Sequence, residues 1–477
     1  MTNQTDNVPP QPAVPATPRV SWSVDSRRKG SGTVVKMLTI LVLVMLLLIP
    51  LGMIRSVLSE RLQRRNEAVR NITSTWGSEQ VICGPVLVVP YKQSRLTYTD
   101  QLVNGQRERV AVTETSVAQA YFLPADLKIT GDLAPSLLHR GIYEAVVYSG
   151  HLEVAGRFAR PSFEEWKVKP DDVMWEDAVV TMAISDLRGA KEALSLKWGN
   201  RTVPLVPGAK LTSFKSGVYA RLGDSSFEQD GVEFTVALNL NGSRSISFVP
   251  VGTQNEARLT SSWADPSFCG AFLPAERKIG PGGFEATWHV SYYGRTFPQQ
   301  WSSENNSKAF DEGALASAFG VDLIAVVDSY RLVERSIKYG ILFIALVFTA
   351  FFLFEVLSPL RIHPFQYTLV GAALCLFYLA LLSLSEVTTF GRAYLAGACA
   401  ASILIALYSA KALKSFAKVL VIVAELAVIY GFLYVILQLQ DYSLLFGTAG
   451  LFIALAIVMY ATRNIDWYSR DENSAGH

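Results

Sequence analysis

Histidine and cysteine are scarce: five and four residues in a chain of 477. No pair of them has the spacing of a zinc site. The chain also lacks His-Glu-x-x-His, Gly-x-Ser-x-Gly and a phosphate-binding glycine loop. The familiar routes to metal hydrolysis, serine acyl transfer and nucleotide binding are therefore missing. The residues imply no cofactor and no metal, and the expectation is that the chain is not an enzyme. Net charge is only +2, so the strong basic footprint of a nucleic-acid binder is absent as well. No small-x-small cleavage pattern follows the first apolar run, where Ile49-Pro50-Leu51-Gly52 stands instead. That run reads as an uncleaved anchor rather than a signal peptide.

Apolar residues are abundant, at half the chain, and unevenly spread. Six runs are long enough to cross a bilayer as helices: Met37 to Met53, Tyr339 to Leu357, Tyr367 to Leu384, Ala393 to Ala410, Val419 to Leu437 and Tyr442 to Thr462. The residues before the first run carry Pro9, Pro10, Pro12, Pro15 and Pro18 among polar neighbours and read as a disordered tail. The resulting division is a tail at 1–33, an anchor at 34–53, a β-rich domain with helical stalks at 54–337, a five-helix bundle at 338–463 and a second tail at 464–477.

Cations assign the sides of the membrane. The first run is flanked by arginines at both ends and decides nothing. In the bundle, Arg361 and His363 share one connection, Lys411, Lys414 and Lys418 another, and Arg463 follows the last run. The alternate turns, Ser385 to Gly391 and Gln438 to Asp441, are nearly free of cations. This places both termini in the cytoplasm and the large domain outside.

Within that domain the hydrophobic period changes from near 3.6 to 2. Ile54, Val57, Leu58, Leu62, Val69 and Ile72 lie on one helical side, with Glu60 and Arg64 paired on another. Leu323, Val326, Val327, Tyr330, Val333 and Ile337 repeat the pattern before the second run, which is expected to continue unbroken from this stalk. Between the stalks, Phe234, Val236, Leu238 and Leu240 alternate with polar residues, and Asn241-Gly242 suggests a tight hairpin returning through Ile246 and Phe248. Leu152, Val154 and Phe158 alternate too, as do Trp288, Val290 and Tyr292, while Val86 to Tyr91 and Ala178 to Ile184 suit buried strands. The expected fold class is a membrane protein, α+β: one N-terminal anchor plus a five-helix C-terminal bundle, with a large antiparallel β-sandwich-like periplasmic domain. One sandwich or two both remain open, as does a Cys83–Cys269 disulfide.

Charged residues in or beside the spans are the candidate functional residues, because a carboxylate in lipid is expensive. They are Glu355, His363, Gln366, Glu386, Glu425 and Arg463. One reading is a proton or ion path. The plainer one pairs Glu355 with Arg361 or His363, gives Glu425 a bond across the bundle and leaves Glu386 solvated. Trp76, Trp175, Trp263, Trp288 and Trp301 could line a glycan or lipid groove, anchor the core or form a membrane-interface belt.

Several motifs resemble one known family, the CreD inner-membrane or cell-envelope integrity proteins. They include Trp76-Gly77-x-x-Gln80, Gly84-Pro85-x-Leu87, Arg140-Gly141-Ile142-Tyr143-Glu144 and Trp263-x-x-Pro266-Ser267-Phe268. Others are Arg335-Ser336-x-Lys338-Tyr339, Phe354-Glu355, His363-Pro364-x-Gln366-Tyr367, Leu384-Ser385-Glu386 and Ile465-Asp466-Trp467-Tyr468. The resemblance implies a Gram-negative inner-membrane protein with a periplasmic domain. It further implies a link to a two-component regulatory system, to envelope maintenance and to β-lactam or colicin responses, with no established catalysis. Expected partners are the bilayer and envelope proteins or cell-wall components, without nucleic acid. A transporter and an envelope-modifying enzyme are the competing functions.

Overall fold

The computed structural model of the chain describes residues 32–103, 106–190, 192–223, 231–305, 307–324, 329–357, 362–413, 416–439 and 442–463. The expected tails lie outside these residues, apart from Gly32 and Thr33, which open the first helix. In chain order the first elements are α1 (Gly32–Trp76), β1 (Gln80–Val103), β2 (Gln106–Phe122), β3 (Asp126–Arg140), β4 (Tyr143–Phe158) and β5 (Val179–Ile184). Then come β6 (Ser195–Trp198), β7 (Arg201–Pro204), β8 (Val206–Pro207), β9 (Gly217–Arg221), β10 (Val232–Ser243) and β11 (Ser245–Val249). Next are β12 (Gln254–Ser261), β13 (Pro266–Gly270), β14 (Glu276–Gly280), β15 (Gly283–Ser291), β16 (Gln300–Ser302), α2 (Ser307–Ala316) and β17 (Phe319–Leu323). The chain ends in α3 (Ser329–Lys338), α4 (Gly340–Leu357), α5 (Pro364–Ser385), α6 (Phe390–Leu413), α7 (Phe416–Gln438) and α8 (Ser443–Thr462).

Two compact units result. One comprises residues up to Leu51, Lys338–Phe377 and Ala400 onward; the other comprises Gly52–Ile337 and Tyr378–Cys399.

The second unit contains two sheets. The larger runs β13-β17-β11-β1-β5-β9-β8, with β2 on β1 and β16 on β2. The other runs β14-β15-β12-β3-β4-β10-β6-β7. Most pairs are antiparallel, but β1–β11 and β12–β3 are parallel, so the sheets are mixed rather than purely antiparallel. A single hydrophobic core joins residues of both sheets, which makes one sandwich. The alternation explains why: Phe234, Val236, Leu238 and Leu240 are all buried, as are Leu152, Val154 and Phe158 on the neighbouring β4. Trp288 and Trp301 are buried in this core, and Trp175 and Trp263 pack against it, so these tryptophans serve as anchors rather than a groove lining. Cys83 and Cys269 are free thiols, on β1 and β13, with β11 and β17 between those strands. Burial pushes the Cys83 thiol up, and burial with Asp322 nearby pushes Cys269 up to about 11.

The expected hairpin at Asn241-Gly242 does not form. β10 continues through Asn241, Gly242 and Ser243, which pair with Ser149, Tyr148 and Val147 of β4. Ile246 and Phe248 then pair in the other sheet, with β1 and β17. The crossing between sheets is made at Arg244, whose φ of 61° turns the chain. Gly242 is a glycine because of close packing, not a turn: a Cβ there would lie 2.2 Å from the Tyr148 hydroxyl. Leu323, expected on a helix, is the last residue of β17; Val326 and Val327 lie outside the described residues, and Tyr330, Val333 and Ile337 are on α3 as expected.

The first stalk enters the sandwich through a buried polar knot. The Trp76 indole donates to Tyr148 O (3.2 Å), and Gln80 Nε2 donates to Asp186 O and Asn241 O (3.0 and 2.9 Å). Asp186 accepts from Ser78 N–H (3.0 Å) and from Arg188 Nε (2.9 Å). Gly77 has φ +146°, and a Cβ there would meet Asn241 O at 2.6 Å. The Arg188 guanidinium, aided by the Ser78 N–H, holds the Asp186 carboxyl well below the usual carboxylate range. A depressed carboxyl pKa stabilises the fold above the unfolded value near 4, and that contribution fades as pH falls through the folded value. Asp186→Asn is therefore expected to lower the melting temperature at pH 7, with mutant and wild type converging toward pH 2; a gap that widens on acidification contradicts this.

In the other unit, Phe343 and Phe377 pack on Tyr430 with ring centroids 4.9 and 4.8 Å away. Among the described residues, five helices are long and apolar enough to cross a membrane: α1, α5, α6, α7 and α8. A sixth span results if α3 and α4 count as one. That pair is interrupted at Tyr339, so the expected continuous helix is two helices. Gly340 stands at the interruption, and glycine is the weakest helix former after proline.

Candidate functional site

Two polar clusters hold the candidate carboxylates. The first lies in the unit that contains the sandwich. Arg61 and Arg65 are four residues apart on α1 and share a face. Glu386 directly follows α5, Tyr330 lies in the first turn of α3, and Tyr143 opens β4. Arg61 Nε is 3.5 Å from Glu386 Oε1, and the Tyr330 hydroxyl donates to the same oxygen at 3.3 Å. Tyr143 interacts electrostatically with Arg61, and the Arg65 guanidinium stands over the Tyr330 ring, 5.8 Å from its centroid. Glu386, with a side chain only 15% exposed, is the hub rather than the solvated cap expected for it. The cluster thus joins three helices that are parts of, or run toward, apolar spans, with Tyr143 of the sandwich electrostatically coupled to Arg61.

The second cluster lies in the unit of apolar helices. Glu355 on α4 is buried. Its Oε1 pairs with Lys36 of α1 and accepts the Ile362 N–H at 2.9 Å; its Oε2 accepts the Tyr367 hydroxyl at 3.0 Å. The expected partners differ: Arg361 lies outside the described residues, and His363 is engaged elsewhere. His363 Nδ1 accepts the Phe365 N–H (3.2 Å), while Gln366 Oε1 accepts the His363 N–H (3.1 Å). This is a reciprocal cap on the start of α5, with Pro364 at its first position. His363 and Gln366 therefore hold a helix end.

The bond across the bundle expected of Glu425 is not seen at its Oε1, which is buried without a hydrogen-bond partner among the described residues. Arg463 closes α8 with its guanidinium 4.0 Å from the Tyr460 ring centroid, where a cation also favours the helix dipole. A cavity of about 160 Å³ between α4, α7 and α8 is lined by residues such as Phe343, Leu346, Phe432, Leu433 and Leu451, with no charged side chain.

Sequence reasoning found Glu355 and Glu386 because a carboxylate beside an apolar run is conspicuous. It missed Lys36, Arg61, Tyr143, Tyr330 and Tyr367 as their partners. Tyrosines near spans are common, and the pairings bridge up to 319 residues of chain.

Apolar helices together with a two-sheet domain define an integral membrane protein with a large β-sandwich. A family model described as inner membrane protein CreD matches residues 32–468. The inner membrane protein CreD of Escherichia coli (strain K12) is 32% identical over 434 residues, covering 91% of this chain and 93% of that protein. The chain belongs to the CreD family and is a multi-pass inner-membrane protein.

Proposed function

We propose that this protein supports cell-envelope integrity through its β-sandwich, which acts as a non-catalytic interaction domain in the periplasm, with both termini in the cytoplasm. Its partners are envelope proteins or cell-wall components. Two-component regulation and service under envelope stress, including β-lactam and colicin responses, belong to the same reading. The observation that carries it is the Glu386 hub, which ties α1, α3 and the end of α5 together within the unit that holds the sandwich, with Tyr143 of β4 interacting electrostatically with Arg61. Such a link lets load or binding at the sandwich reach apolar helices without a chemical step. The cation distribution supports the orientation.

Glu386→Ala is expected to insert normally and accumulate to wild-type level, yet fail to restore β-lactam tolerance or envelope impermeability to a cell lacking the protein. Full complementation sinks the reading. Orientation is tested by single added cysteines in a background in which Cys83, Cys269, Cys375 and Cys399 are all replaced by serine. Tyr293→Cys, 83% exposed, should react with a membrane-impermeant thiol reagent in spheroplasts. Phe416→Cys, 85% exposed, should react only after lysis. The reverse pattern inverts the topology.

A further inference from the structure

We infer that the cavity between α4, α7 and α8 is a binding site for one acyl chain of a membrane phospholipid. The inference goes beyond the envelope role and does not depend on it.

The cavity exists because two helices touch at one level and part at the next. A Cβ on Gly450 of α8 would lie 2.0 Å from the Phe432 ring of α7, so the two helices are in close contact there. Three residues earlier, about one helical turn, a Cβ on Gly447 would meet nothing within 4 Å. Gly447 lines the cavity, and the space beside it is part of the opening. The lining runs from Tyr339 to Leu346 along α4 and from Ser443 to Leu451 along α8. At the rise of an α-helix both stretches are roughly 10–12 Å long. Ser443 opens α8, Tyr339 directly precedes α4, and Ile436 of the lining lies in the last turn of α7. One end of the cavity is therefore level with the ends of the spans, and the rest runs inward from it.

The walls offer hydrocarbon and almost nothing else. No lining residue is charged. The Thr448 hydroxyl is spent on Leu444 O of its own helix. An apolar cavity of about 150 Å³ stays dry and accepts guests such as benzene or xenon, and this one measures about 160 Å³. Water is thus a poor occupant. An unfilled space would forfeit dispersion contacts of its walls, and such contacts are what hold helices together in lipid.

The surroundings name the guest. α7 and α8 are each long and apolar enough to cross a membrane, and α4 forms a further span together with α3. The medium around the cavity is then the acyl region of the bilayer. The cavity also communicates with that medium. Leu444 on its rim is 81% exposed, whereas Phe343 and Leu433 on its inner walls are buried. A polar solute or an extended peptide would bring hydrogen-bonding groups to walls that cannot answer them. A chain of methylenes carries none. The volume suits a segment of one chain and excludes a whole lipid or another helix. Lipid at an ordinary helix surface has protein on one side only; here three helices surround the chain, so it should exchange slowly and survive purification.

The test uses the full-length protein. Native mass spectrometry reads phospholipid retained after purification in detergent. In nanodiscs, a phospholipid with a photoactivatable diazirine on one acyl chain reports where chains lie. Expected are a single retained phospholipid and adducts on Leu346 and Leu433 in excess over Leu407, an exposed residue of α6 that samples bulk lipid. Gly447→Leu, whose side chain enters the open space, should reduce retention and cavity adducts about tenfold or more and leave the Leu407 adduct unchanged. Leucine is a better helix former than glycine, so the melting temperature should not fall. Gly431→Leu makes the same exchange on α7, where a Cβ also meets nothing but the position lies outside the lining, and should keep the lipid. The inference is overturned if no phospholipid is retained, if cavity adducts do not exceed that at Leu407, if Gly447→Leu retains lipid like the wild type, if Gly431→Leu loses it equally, or if the retained mass is detergent alone.

Discussion

Glu355→Ala is expected to destabilise the helical unit by about 2–5 kcal/mol. The carboxylate satisfies three donors at once: the Lys36 ammonium, the Tyr367 hydroxyl and the Ile362 N–H. Truncation strands all of them. The Tyr367 side chain is almost completely buried, so its hydroxyl has little access to water. Lys36 keeps 26% of its side-chain surface exposed and can recover part of its solvation. Loss of the glutamate should therefore cost more than loss of the lysine, and Glu355→Gln, whose amide oxygen can still accept the Ile362 N–H while its NH2 can donate to the Tyr367 oxygen, should fall between. Removing both charges in Lys36→Met/Glu355→Met should restore much of the stability, because no unpaired charge is then left in the bundle. Thermal unfolding in detergent, read with steady-state protein level, distinguishes these ranks. A Glu355→Ala protein with wild-type melting temperature shows that the cluster bears no load.

The reach and limits of the sequence have physical causes that particular residues show. Periodicity reports burial directly, so the alternation at Phe234–Leu240 and the long apolar runs anticipated the sheet and the spans. Glycine is ambiguous by nature. Gly242 has the same letter whether it turns a hairpin or lets a backbone pass under Tyr148, and here the second applies. Arg244, which makes the actual crossing between sheets, belongs to a residue type that seldom adopts positive φ and carries no turn signal. Glu355 and Glu386 stood out because their charge is costly where they lie. Their partners did not, since Lys36 reads as one more flanking cation and Tyr330 as one more member of an apolar stripe. The cavity between α4, α7 and α8 was invisible for a related reason. It depends on where the helices touch and where they part, and Gly450 at the contact reads the same as Gly447 at the gap.

Ser336→Pro is expected to abolish function while sparing insertion and the sandwich. Ser336 lies inside α3, fully buried between Leu332, Val333 and Ile337, which are themselves buried. Proline there removes a backbone hydrogen bond and drives its ring into the preceding turn, a cost of about 3 kcal/mol or more. The chain already breaks its helix at Tyr339, so α3 is a short element of 10 residues with little helix to spare on either side of the substitution. The damage should reach Tyr330, one and a half turns earlier on the same helix, and through it the bond to Glu386. The sandwich core, which ends at Leu323 in this part of the chain, should keep its protease resistance, and α4 to α8 should remain membrane-embedded. Ser336→Ala separates the backbone effect from the side chain: the hydroxyl has no hydrogen-bond partner among the described residues, so its removal should be neutral or slightly stabilising. The expected pattern is an inactive proline variant beside an active alanine variant, both at normal level. An active Ser336→Pro protein makes α3 a dispensable tether, and the sandwich then works without a structured path through Tyr330 to Glu386.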